Sequence, residues 1–207
     1  MQRIPAIVAL AAAWLAITVD VLHGGPISHL DVWIADRLQA PENSPAWLAL
    51  LFWTRLHSAV AILVYSAVFA LLLVRRRAWA WALGVALAVP GGMVLNASLQ
   101  LAIERSRPVL DNPVLALNTA GFPSGHTAAA AVFYGMLAAY LSYRFPARSR
   151  LFLAGAAVLV VLAGLSRMAL GVQYFGDVLG ALVSSSAWLM ACLSGLEAWQ
   201  AARRSPT

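Results

Sequence analysis

The chain has 207 residues, of which 62% are hydrophobic and only 11% are charged, and its formal net charge is +6. A soluble domain of this length needs more charged surface, so the composition excludes the soluble globular class. The apolar residues stand in long runs, and about 20 of them in a row can cross the hydrocarbon core of a bilayer. Such runs predict an all-α, polytopic membrane helical bundle, because a helix satisfies its own backbone hydrogen bonds inside lipid.

Taken in chain order, the apolar runs predict about six transmembrane helices. The first of them follows Arg3 as a secretory signal would, but no clear cleavage site comes after it, so it is interpreted as a retained anchor. Neither an internal repeat nor a low-complexity linker divides the chain, and residues 1–207 are predicted to form one membrane-embedded domain. The predicted spans are residues 5–22, 58–74, 78–100, 126–143, 151–170 and 177–196.

The longest segment between spans, residues 23–57, contains a short amphipathic pattern, HLDVWIADRL. Four apolar residues recur there at helical spacing, opposite Asp31 and Arg37. The pattern predicts a short external helix that lies on the membrane surface. The four apolar residues are Leu30, Trp33, Ile34 and Leu38.

The arginines set the predicted orientation. All fourteen basic residues are arginine, and with the N-terminus inside, nine of them fall in the short inner segments, as the positive-inside rule requires. The net charge is therefore explained by topology rather than by a nucleic-acid partner, since the basic clusters are split among short loops. The nine inner residues are Arg3, Arg75, Arg76, Arg77, Arg144, Arg148, Arg150, Arg203 and Arg204.

Three polar stretches are predicted to meet at the outer face. QLAIERSRP (100–108) ends the third span, GFPSGHT (121–127) begins the fourth, and SRMALGVQYFGD (166–177) connects the fifth to the sixth. Charged groups near membrane depth are costly and usually face an interior site. Their convergence therefore predicts a functional site.

The residue types in these stretches favour phosphate. Arg107 and Arg167 carry planar forks that suit bidentate contact with phosphate oxygens. A turn that enters a helix at Ser124 and Gly125 presents free backbone N–H groups to an anion. His126 adds a side chain that can donate a proton. An anion site beside lipid predicts a membrane lipid phosphate as the ligand, with the bilayer as its surroundings.

These stretches resemble the motifs of the membrane-bound type 2 phosphatidic acid phosphatases, relatives of the vanadium haloperoxidases. That family has Lys, six residues and Arg-Pro; then Pro-Ser-Gly-His; then Ser-Arg, five residues, His, three residues and Asp. The resemblance covers about residues 96–180, and the six-span layout extends it over nearly the whole chain. The matching positions are Gln100, Arg107-Pro108, Pro123-Ser124-Gly125-His126, Ser166-Arg167, Gln173, Asp177 and the following Gly180.

The resemblance implies a role for each matching residue. Contact with the lipid phosphate is implied for Gln100, Arg107, Ser124, Gly125 and Arg167. His126 is expected to protonate the leaving group, and Asp177 to orient the residue at position 173. Neither a metal ion nor another cofactor is implied.

Two positions depart from the family pattern. Gln100 stands where the family has Lys, and Gln173 stands where it has the nucleophilic His. A carboxamide nitrogen is a poor nucleophile because its lone pair is delocalised, and loss of a nucleophile costs roughly a million-fold in a serine protease. Gln173 can still donate a hydrogen bond to phosphate, and Asp177, one helical turn on, could orient it.

Few residues offer a replacement. Of the other histidines, His57 is at the mouth of the second span and is interpreted as an ordinary interfacial residue. Arg105 could supply the missing positive charge, but two positions from Arg107 it should face elsewhere if the helix continues there.

Two functional hypotheses follow. The first is a lipid-phosphate phosphatase at the outer, periplasmic face of a bacterial-type inner membrane, acting on a polyprenyl diphosphate, phosphatidylglycerol phosphate or phosphatidic acid. The second is a catalytically impaired member that binds lipid phosphate without turnover, as a sensor or transport component. Gln173 could also be an introduced substitution. Very low or absent hydrolysis is predicted, and the oligomeric state is left open.

Overall fold

The computed structural model describes residues 3–108 and 119–203, and within these ranges every regular element is helical. The predicted all-α class is therefore confirmed. Arg204, which entered the charge argument above, lies outside the described residues. The helices are α1 (Ile4–His23), α2 (Pro26–Leu38), α3 (Pro45–Leu56), α4 (Ala59–Arg75), α5 (Trp79–Ile103), α6 (Gly125–Arg144), α7 (Ser149–Ala169) and α8 (Phe175–Ala202), with a 3-10 turn at Pro146–Arg148.

All six predicted spans fall in helices, although fewer helices qualify as spans by themselves. Within the described ranges, four are long and apolar enough to cross a membrane, Ile4–His23, Trp79–Ile103, Pro146–Ala169 and Phe175–Ala202. Helices α3 and α4, bent by 47° between them, form a fifth candidate. The remaining predicted span is α6, whose 20 residues would measure about 30 Å. Its ends, GHT and SYR, are polar.

Helix α6 lies at the centre of the bundle, where it packs against α4, α5, α7 and α8. Its inward side chains, such as Val132 and Met136, join Ile62, Val85 and Val89 in the main hydrophobic core. Helices α1 and α2 pack on the other side of α8. Burial on several sides explains why α6 is rich in alanine rather than in large apolar residues.

The amphipathic segment forms a helix, α2, which turns part of its apolar face outward and Asp31 inward. Leu30 and Trp33 are 46% and 55% exposed, whereas Asp31 is only 2% exposed. Leu30 and Trp33 therefore point away from the bundle, and Asp31 points into it.

Helix ends bring the polar stretches together. Helix α5 ends at Ile103, where Glu104 takes a left-handed conformation with φ 51° and turns the chain. Close packing then joins the next motif to α8, since a Cβ at Gly180 would collide with the ring of Phe122. A glycine is needed at that position because the fully buried Phe122 leaves no room for a side chain.

Candidate active site

The Pro-Ser-Gly-His turn is held from two sides by the other two motifs. From α5, the side-chain amides of Gln100 and Asn96 donate to the carbonyl of Pro123, at 2.8 Å and 3.3 Å. From α8, the carbonyl of Asp177 accepts the amide of Ser124 at 3.0 Å. The structure thus brings the three predicted stretches together. Asn96 was not predicted from the sequence, although its signal was there: it is a polar residue inside an apolar span.

The side-chain amide of Gln100 holds this turn in place. Gln100 therefore lies beside the expected phosphate position. The nitrogen of Gln100 is 3.8 Å from where a Cβ at Gly125 would lie. Gly125 therefore leaves the first turn of α6 open toward the amide of Gln100. The Ser124 side chain makes no capping bond to α6, and its hydroxyl accepts a hydrogen bond from Thr127 at 3.1 Å. Uncapped amides at a helix start are suited to an anion.

Arg107 serves mainly to connect the loops of the site. Its Nε and Nη2 donate to the carbonyl and hydroxyl of Thr119 and to the carbonyl of Ala120, at 2.8–3.0 Å. Its Nη1 donates to the carbonyl of Val172 at 3.0 Å, next to Gln173. Four of the five guanidinium N–H groups of Arg107 are thereby used by residues that the structure describes. Burial lowers the pKa of Arg107, and the nearby Asp177 charge opposes that shift.

Arg167 has more donors to offer. It is 4% exposed, and Nη1 donates to the hydroxyl of Thr54 on α3 at 3.2 Å. Its buried Nε has no hydrogen-bond partner in the part of the chain that the structure describes. A buried, unpaired donor on a charged group is costly, so Arg167 is the better placed of the two arginines to bind an anion.

His126 sits among these cations at the start of α6. The positive charges of Arg167 and Arg107 both act on its ring, as does His57. Proton donation by His126 to a leaving oxygen would require an anion that offsets these positive charges.

Gln173 is 3% exposed, and its Oε1 is a second buried polar atom that lacks a partner among the described residues. The expected pairing with Asp177 is not formed. The carboxylate of Asp177, which is fully buried, accepts from Arg105 at 2.6 Å and from the amide of Tyr174 at 2.8 Å. Within the described chain, Asp177 makes no hydrogen bond to Gln173.

Arg105 can form an ion pair with Asp177 because α5 has already ended at Ile103. Arg105 was expected to face elsewhere only if the helix continued, and that condition is not met. Beyond Glu104, its guanidinium bridges Asp177 and Asp31 at 2.6 Å each, and Asp31 also accepts from the amide of Gly176 at 2.6 Å. Burial opposes the charge of Arg105, but the two carboxylates outweigh it and raise its pKa above the ordinary value.

His57 is also placed differently from the prediction. It is 3% exposed rather than interfacial, and its ring lies 4.5 Å from that of Trp53. Nδ1 is 2.9 Å from the carbonyl of Trp53, and Nε2 is 3.0 Å from the hydroxyl of Tyr134. A carbonyl only accepts, so Nδ1 donates to it.

Comparison with known proteins agrees with these motifs. The family model of the PAP2 superfamily matches residues 79–200, more than half of the chain. This chain belongs to the PAP2 superfamily. The predicted family resemblance is therefore confirmed. The prediction of a multi-pass membrane protein of the PAP2 phosphatase family is confirmed as well.

A curated relative and a solved structure, both from Bacillus subtilis, are similar to this chain. Phosphatidylglycerophosphatase B of strain 168 is 39% identical over 90 residues, which are 42% of this chain and 44% of that protein. The match thus spans less than half of that relative's length. The fold is similar to the crystal structure of the first transmembrane PAP2-type phosphatidylglycerolphosphate phosphatase from Bacillus subtilis. The TM-score is 0.80 at 25% identity, covering 92% of this chain and 96% of that one.

Proposed function

We propose that the chain binds the phosphate group of a membrane lipid at this site, and that hydrolysis through position 173 is very low or absent. The observation that carries the binding proposal is that two of the buried side-chain atoms without a partner in the described structure, Arg167 Nε and Gln173 Oε1, belong to the motif residues. One is a donor and the other an acceptor. A singly protonated phosphate ester offers P–O⁻ to the first and P–OH to the second.

The lipid class follows from the chemistry of the site and from the names of the relatives. Phosphatidylglycerol phosphate is the first candidate, because the Bacillus subtilis relative and the solved Bacillus subtilis structure are named for it. Phosphatidic acid and a polyprenyl diphosphate present the same phosphate group and are the other candidates. The arginine asymmetry supports an inner-membrane protein whose site faces outside.

Two features support impaired hydrolysis. Gln173 offers no nucleophilic lone pair, so a phosphoryl group has no acceptor at the family position. Asp177, which orients the nucleophile in the family, is engaged by Arg105 at 2.6 Å. Phosphate can therefore be held by Arg167 and faced by His126, while the attacking group of the usual mechanism is missing.

Binding is tested by thermal unfolding of the purified chain with phosphatidic acid or with diacylglycerol, the same lipid without phosphate. A ligand selective for the folded state raises the unfolding temperature, so phosphatidic acid should stabilise the chain and diacylglycerol should not. Arg167→Ala should remove most of the shift, because one charge-assisted hydrogen bond contributes about 1.5–3 kcal/mol. Arg55→Ala is the matched control, since Arg55 is exposed next to Thr54. Equal stabilisation of both variants would contradict the proposal.

A second candidate, a phosphatase with a relocated nucleophile, is favoured by His57. The Trp53 carbonyl holds Nδ1 much as a carboxylate would. In a neutral ring Nε2 would carry the lone pair, and it would have to release the Tyr134 hydroxyl, 3.0 Å away, before it could attack. If Nε2 attacked phosphorus, an N–P bond would form, the P–O bond to the lipid would break, and His126 would protonate the departing oxygen. Water would then cleave the phosphohistidine. Phosphate release by the unmodified chain that is lost in both His57→Ala and His126→Ala would establish this route, and absence of release would exclude it.

A further inference from the structure

A cationic cavity of about 720 Å³ lies at the end of the bundle opposite to the candidate active site. It is formed where α4 ends, α5 begins, and α6 and α8 end. Four arginines and no carboxylate line it. The ion pairs found among residues 3–108 and 119–203 involve only Arg3 and Arg105, so these four charges are not neutralised there. They are Arg76, Arg77, Arg144 and Arg203.

Aromatic rings share the wall of this cationic cavity. The guanidinium of Arg203 lies 4.1 Å from the ring centroid of Trp199. Trp81 lies 5.5 Å from Tyr140 and 5.6 Å from Tyr143, measured between ring centroids. Tryptophan and tyrosine concentrate at the level of lipid headgroups. The cavity therefore has the composition of a site at the membrane interface.

Two apolar grooves continue from the cationic cavity along the bundle. The first, of about 290 Å³, shares Arg76 and Arg144 with the cavity and runs between α4 and α6 over Leu72 and Leu73. The second, of about 310 Å³, shares Trp199 with it and runs between α5 and α8. The second groove is lined further by Leu83, Leu87, Gly195 and Leu196.

We propose that the cationic cavity and its two grooves bind one anionic diacyl phospholipid, with the phosphate among the arginines and one acyl chain in each groove. Charge complementarity selects an anionic headgroup, and two grooves match two chains. Basic pockets between transmembrane helices are known to suit anionic headgroups. The positive-inside rule alone does not require the arginines to line a cavity. Arg148 and Arg150 add positive charge at the same end of the bundle without lining it. This site is independent of the proposed function at the opposite end.

The probe is phosphatidylglycerol added to the purified chain in detergent, with bound lipid counted by native mass spectrometry and stability followed by thermal unfolding. We expect one tightly bound phosphatidylglycerol and a raised unfolding temperature, and neither with phosphatidylcholine. Glycerol 3-phosphate, which has the charge without the chains, should give no shift. A full shift with glycerol 3-phosphate, or equal binding of phosphatidylcholine, would overturn the proposal.

Two pairs of variants locate the lipid. The double variant Arg76→Gln, Arg144→Gln should weaken phosphatidylglycerol binding about tenfold or more, because it removes two charge-assisted contacts. Arg148→Gln with Arg150→Gln removes the same charge from the same end and should leave binding within about twofold. Equal losses in both double variants would mean that net charge, not the cavity, attracts the lipid, and the proposal would fail.

The grooves are tested without touching any charge. A Cβ at Gly195 meets nothing within 4 Å, and the same holds for Gly155 on α7. Gly195→Phe should fill the second groove and reduce phosphatidylglycerol binding several-fold, whereas Gly155→Phe adds the same ring elsewhere and should not. Both variants should fold, since the Cβ of neither new side chain contacts a neighbouring residue. Undiminished binding by Gly195→Phe would contradict the placement of the acyl chain.

Discussion

The bridge that Arg105 forms between Asp31 and Asp177 gives the sharpest quantitative prediction. Both carboxylates are nearly or fully buried, and each accepts from Arg105 at 2.6 Å. Arg105→Gln leaves two buried negative charges without their counter-charge. Removal of one partner from a buried ion pair costs about 3–5 kcal/mol. For a chain of this size that corresponds to a fall of roughly 6–20 °C in the unfolding temperature.

The assay is thermal unfolding in detergent, with the exposed pair between Arg3 and Glu197 as the matched control. That pair has the same chemistry at 2.7 Å, with side chains 36% and 64% exposed, and Arg3→Gln should cost only about 0–1 kcal/mol. Adding Asp31→Asn to Arg105→Gln should restore part of the loss, because it removes one of the two stranded charges. Equal shifts for Arg105→Gln and Arg3→Gln would refute the reasoning.

Two further predictions concern topology and packing. In a background without the native cysteine, a cysteine at position 148 should be labelled only from inside and one at position 112, outside the described residues, only from outside; the reverse pattern would place the site at the cytoplasmic face. Gly180→Val should lower stability by about 1–3 kcal/mol, since its side chain meets the buried ring of Phe122 and overpacking is costly. Gly155→Val, in open space, should be close to neutral in the same unfolding assay, and equal effects would argue against the packing account.

The sequence was sufficient for the helical class and for the meeting of the three motifs, because both depend on long-range patterns. Apolar runs of about 20 residues specify spans, and the order of inner and outer loops then determines which span ends share a face. The motif residues Arg107, Ser124 and Asp177 were thereby predicted at one end of the bundle. In the structure Ser124 donates to the carbonyl of Asp177, and Arg107 donates to the carbonyl of Val172, next to Gln173.

The partners of individual side chains could not be predicted in the same way. Arg105 reaches Asp177 only because α5 stops at Ile103, and the residue at which a helix ends is specified by sequence only to within one or two positions. The amphipathic pattern placed Asp31 opposite the apolar residues of α2 and identified no partner for it. In the structure Leu30 and Trp33 are exposed, whereas Asp31 turns into the bundle and pairs with Arg105.

The central claim is that the site recognises lipid phosphate while Gln173 prevents the usual hydrolysis, and phosphate release tests it most directly. Purified protein would be incubated with phosphatidylglycerol phosphate, with the wild type compared with Gln173→His and with Gln173→His, Gln100→Lys. We predict no release by the wild type above the His126→Ala background. Partial activity is expected in the single variant, because Arg105 still competes for Asp177, and more in the double variant, since the added cation stabilises the phosphoryl transition state. Robust release by the wild type, with no gain in either variant, would contradict the account.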